Sequence, residues 1–124
     1  MSRQNAHYVN ELNVRGIVYS IYLYPHYIFK KKFPDCNAIM DEEAREIHFS
    51  EKYRDVATVR HELFHAYVKA CFYDYIPNPT AEGLEEIACE TFSHFAEEIT
   101  DNANLIRFEL DRVKKERDLK RKEK

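Results

Sequence analysis

In the stretch "RHELFHAYVKACF" two histidines stand four residues apart with a glutamate directly after the first: His61, Glu62 and His65. On an α-helix, residues four apart project from one face. Two neutral imidazoles so placed can hold one metal ion. Glu62, one position round, reaches a water on that ion without binding the metal itself. A carboxylate there can take the proton of the water, which then attacks a polarised carbonyl. The competing reading is an ordinary amphipathic helix, because short patterns of this kind also arise by chance.

A catalytic zinc of tetrahedral geometry needs a third protein ligand and one open position. The acidic run in "EGLEEIACETFSHF" offers it. Glu86 and Glu90 are four apart and share a helical face. If Glu86 binds the ion, Glu90 can accept a hydrogen bond from the remote nitrogen of a ligating histidine and fix its ring. Glu85 and Glu90 are rivals of Glu86 for the ligand position. His48, at the end of a strand, reads as a surface or partly buried histidine rather than a ligand, and His7 and His26 have no partner at ligand spacing. Cys89, off the Glu86–Glu90 face, reads as a small buried hydrophobe.

Elements must hold these residues in place. Residues 1–14 are mixed and polar, an arm or a short helix. "GIVYSIYLY" is β-branched and aromatic on both faces and reads as a strand ended by Pro25. Residues 37–40 and 46–49 read as two short strands around an acidic turn. From Asp55, a candidate N-cap, the period becomes helical through Val56, Val59, Leu63, Phe64 and Tyr67, which predicts a helix over 55–74. Pro77 and Pro79 break it, and Thr80 caps a second helix over 80–100 whose apolar side carries Leu84, Ile87, Phe92, Phe95 and Ile99. "TDNAN" reads as an irregularity before a last helix through Leu105, Phe108, Leu110 and Val113. Strands followed by helices make an α+β arrangement.

With 124 residues the chain is the size of one domain, and 44% hydrophobic with 33% charged residues is a globular composition. The net charge of −3 divides unevenly: residues 112–124 carry eight Lys or Arg against three Asp or Glu, so the body is acidic and the tail basic. That is not a nucleic-acid-binding composition as a whole. The tail can meet an acidic partner or nucleic acid, or be a solvated helix end. Three cysteines without a CxxC pair argue against a disulfide framework and for reduced thiols in the cytosol. The first residues contain no apolar core of a signal peptide, and no apolar run approaches the ~20 residues that span a bilayer.

"HELFH" followed by "EEIACETF" resembles the gluzincin zinc peptidases, and the small size and the strands before the metal helix look like their minimal ImmA/IrrE-type phage and bacterial members. The resemblance covers roughly residues 37–100. It departs from the family pattern at Arg60, where many zinc peptidases have an uncharged residue, and at Glu90, where an Asp is usual. It implies a zincin-like α+β domain over residues 1–111, with a small, three-stranded, mostly antiparallel sheet on the HExxH helix, and a charged helical tail over 112–124. It further implies Zn²⁺ on His61, His65 and Glu86, with Glu62 as general base and Glu90 behind the ligands. A tyrosine between the motif and the third ligand, Tyr75, would stabilise the oxyanion, packing being the competing role. The substrate would be a protein or peptide, aligned along an edge strand at residues 46–49. The setting would be the bacterial cytoplasm, or the host's for a phage protein, with no membrane partner. The reading from a different class is a non-catalytic regulatory protein that retains this fold and binds a partner.

Overall fold

A computed structural model describes residues 6–72 and 81–122. The elements run β1 (His7–Val14), β2 (Ile17–Tyr24), α1 (His26–Lys32), β3 (Ala38–Asp41), β4 (Glu46–Ser50), α2 (Val56–Phe72) and α3 (Ala81–Lys122). The α+β class stands. The sheet has four strands in the order β1-β2-β4-β3, with β2 and β4 parallel and the outer pairs antiparallel. Three corrections follow from this order.

The polar opening segment is a strand, neither arm nor helix. β1 pairs with β2 through a two-residue turn in which Arg15 and Gly16 both take positive φ, 51° and 100°, and the Asn13 side chain accepts the Gly16 N–H at 2.8 Å. Such a turn matches the twist of the strands it joins. A register shift between Tyr8 and Asn10 disturbs the alternation of β1 and hides its period. The second correction is that β4 is not an edge. It lies between β2 and β3 and is buried along its whole length, and β3 is the edge strand next to it.

The third concerns the last helices. α3 is one helix of 42 residues that runs through the segment read as an irregularity. Tertiary contacts there override the weak helix propensity of Asp and Asn. Asn102 donates to the Tyr67 hydroxyl at 2.9 Å, and Ala103 is fully buried. The buried stripe is Ile99, Ala103, Ile106, Leu110, Val113 and Arg117, and Leu105, Phe108, Leu84 and Phe92 are exposed. The basic tail continues α3 to Lys122 and packs back through Val113 and Arg117.

α2 and α3 cover one face of the sheet. Tyr19, Ile21, Leu23, Ile47 and Phe49 of the strands join Val59, Leu63, Ala66 and Tyr67 of α2 and the α3 stripe in one core. The other face is aromatic and smaller: Tyr24, Phe29, Phe33 and His48 meet under α1, which Pro25 starts by accepting the N–H groups of Ile28 and Phe29. Among the described residues no helix is long and apolar enough to cross a membrane. The Pro-containing turn and the Thr80 cap lie outside the described residues.

Candidate metal centre

α2 begins as expected. The Asp55 carboxylate accepts the Thr58 N–H at 3.1 Å and its hydroxyl at 2.8 Å, and those bonds from Thr58 hold its pKa below the usual carboxylate range. One turn on, the helix buries Val59 and Leu63 and turns His61 and His65 to solvent. The two rings meet edge to face, and their Nε2 atoms are 3.2 Å apart. Two nitrogens bound at ordinary Zn–N lengths on a tetrahedral ion lie roughly 3.3 Å apart. The pair therefore already has the separation that a shared zinc would impose. Without an ion, a neutral pair shares one N–H···N hydrogen bond across the same gap.

Glu62 points into the crevice between α2 and the edge strand. Ala38, Ile39 and Met40 of β3 face His61, Glu62 and His65 across a cavity of about 310 Å³. A wider hollow of about 470 Å³ continues past Cys36, Asn37, Ala57 and Thr58, with His61 and Glu62 in its wall. Only 6% of Glu62 is exposed, and its carboxylate makes no hydrogen bond or ion pair among the described residues. Burial raises its pKa, partly offset by the nearby His61. A carboxylate raised in this way is a better proton acceptor at neutral pH than one free in water. Burial lowers the pKa of His65, assisted by His61 and Lys69, which favours the neutral imidazole that a metal needs. Lys69 also reaches the Glu42 carboxylate at 3.1 Å and ties the β3–β4 turn to α2 beside the crevice.

The remaining candidates are placed differently. Glu86 is exposed on α3, and among the described residues no third His, Cys, Asp or Glu joins His61 and His65 as a metal-holding group. Glu90 accepts a bond from His94 Nε2 at 3.0 Å, one turn along its own helix, and does not meet a site histidine. Cys89 is exposed, contrary to expectation, beside Ala88, Phe92 and Phe64 in a shallow depression between α2 and α3. That depression defines the side of α3 turned to α2. Glu85 lies three residues before Ala88 and four before Cys89, hence on that side, whereas Glu86 is about 100° round from it. Tyr75 lies outside the described residues.

His48 is buried more deeply than the surface or partly buried position read for it. It is 4% exposed, its Nδ1 lies 2.8 Å from the Tyr24 hydroxyl and its Nε2 lies 3.2 Å from Glu46 Oε1. What sequence reasoning missed is the lining supplied by residues 36–40. Local pattern gave no signal of it, because β4 stands between β3 and α2 in the chain and the edge position of β3 is set by pairing. No protein-family model matches the chain, no curated protein matches it and no solved structure matches it.

Proposed function

We propose that the chain is a zinc-dependent peptidase with a zincin-like arrangement of strand, crevice and metal helix. The observation that carries the reading is the 3.2 Å separation of the His61 and His65 Nε2 atoms beside a buried Glu62 that has no hydrogen bond or ion pair among the described residues. His61 and His65 hold the ion. The acidic first turns of α3 supply the third donor: Glu86, or Glu85, which shares the side facing α2. When bound, zinc supplies Lewis acidity, polarising a carbonyl and lowering the pKa of water at its open position. Glu62 takes the proton of the attacking water and returns it to the leaving amine.

The open edge of β3 aligns the substrate. An extended peptide adds to an edge strand through main-chain hydrogen bonds. β3 runs along the crevice with Ala38, Ile39 and Met40 in its wall, so a peptide paired there passes His61 and Glu62. This moves the alignment from β4, whose two sides are already occupied, to β3.

Elemental analysis of the purified, untagged chain is the test. About one zinc per chain, lost in His65→Ala while circular dichroism is unchanged, supports the centre. No zinc after reconstitution overturns it, and a partner-binding module on the same fold then becomes the better reading.

A further inference from the structure

α3 ends where the start of β1, the β2–α1 junction and the turn after β4 also lie. Specific bonds bring them together. The largely buried Arg117 donates to the Glu51 carboxylate just after β4. Burial lowers the pKa of His7 of β1, with the nearby charges of Arg117, Lys120 and Arg121 acting the same way and Glu51 against them. His26 Nδ1 meets Ser50 Oγ at 2.8 Å, its ring packs 5.7 Å from that of Tyr53, and Lys52 Nζ lies 5.7 Å over the same Tyr53 ring. Four segments distant in sequence thus share one surface.

The charge on it is net cationic. Glu51 is engaged by Arg117, and Asp118 by Lys114 at 2.6 Å and, more loosely, by Arg121 at 3.8 Å. Lys52, Lys120, Arg121 and Lys122 remain exposed. Tyr27, next to His26 at the start of α1, shows 71% of its surface to solvent, an unusual exposure for a tyrosine. Clustered cations next to an open aromatic ring fit a flexible polyanion whose phosphates meet Lys and Arg while a base stacks on the ring. Base-paired duplex keeps its base faces stacked on one another and offers none to Tyr27.

We infer that this end of the molecule binds single-stranded nucleic acid. The acidic remainder of the chain confines binding to this end and makes it weak and steeply dependent on salt. The surface uses no residue of the metal centre and stands or falls independently of it.

The test is fluorescence anisotropy of a labelled 15-nucleotide mixed-sequence DNA strand with the intact chain. Saturable binding is expected at 50 mM salt, roughly twentyfold weaker at 200 mM if about three phosphates are neutralised. Lys120→Glu with Arg121→Glu should weaken it at least tenfold. Tyr27→Ala should weaken it roughly tenfold without changing the salt slope. All three side chains are exposed, so the fold is retained, and Glu62→Gln should bind as well as the unaltered chain. No anisotropy change at 50 mM salt, or binding untouched by the double charge reversal, overturns the proposal. So does co-sedimentation with phosphatidylserine vesicles by a chain that ignores the oligonucleotide.

Discussion

His48 and the His61–His65 pair sit on neighbouring elements and hold their protons in opposite ways. His48 has both nitrogens engaged. Neutral, with the proton on Nε2, it donates to Glu46 and accepts the Tyr24 hydroxyl on Nδ1, while its ring stacks 5.5 Å from Tyr22. Such a ring has nothing left for a ligand. Among the described residues His61 and His65 bond only to each other, on the solvent side of α2, next to a buried carboxylate that has no partner there. One arrangement spends its polar groups on the fold. The other turns them toward a cavity, where they are open to a ligand.

The sharpest way to break this contrast is Glu62→Gln. Hydrolysis of a peptide library should fall on the order of 10²–10⁴-fold. Zinc content should be unchanged, and the melting temperature should not drop, because a buried charge has been removed. Equal turnover in the variant would remove Glu62 from the reaction. His48→Ala should do the reverse. It removes the bonds that His48 makes to the buried Tyr24 hydroxyl and Glu46 carboxylate and should cost about 2 kcal/mol in urea denaturation. Zinc stoichiometry should stay at the level of the unaltered chain, and its loss would join His48 to the centre.

A pH series separates the two regions further. Burial holds the folded His48 below the ordinary histidine value of 6.5, with Lys32 acting in the same direction and Glu46 and Asp41 against it. As pH falls, the unfolded chain therefore takes up this proton first. The contribution of His48 to stability is complete above its unfolded pKa and declines below it. The decline reaches at most about 1.4 kcal/mol per pH unit, until the folded pKa is passed. His48→Leu should flatten that slope, and an unchanged slope would assign it to other groups. The smallest effect is expected at the start of α2. Asp55→Ala removes the cap and should cost about 1 kcal/mol of stability by thermal melting. Its zinc affinity should change less than twofold, since the His61–His65 spacing is internal to the helix. A larger change would mean that the cap also sets the ligand geometry.

What the sequence made legible follows the range of the interactions involved. His61, Glu62 and His65 are placed by one turn of helix, so their geometry could be read from spacing alone. β2 and α2 have strong local periods and were equally plain. The errors lie where distant contacts decide. α1 is seven residues long, too short to show a helical period, and is set by Pro25 and the aromatic face beneath it. The unbroken course of α3 depends on Tyr67, thirty-five residues before the Asn102 it binds. The place of β4 inside the sheet follows from its parallel pairing with β2, which local alternation cannot reveal. The third metal donor has the same difficulty, because its choice among Glu85, Glu86 and Glu90 depends on how α3 is turned about its axis.

An unbroken α3 also has a phase. Each residue advances the helix by about 100°, so Phe92 near the His61–His65 pair and Leu110, Val113 and Arg117 on the sheet are locked in angular register. Two helices with a joint between them would absorb the gain or loss of one residue at the joint. Here a single deletion between Ser93 and Ile99 would swing one half of the helix about a quarter turn against the other. Insertions close to a whole number of turns, such as seven or eleven residues, would restore the angular register of both faces. The stretch between the crevice and the basic end is therefore expected to vary in residue type across evolution far more readily than in length.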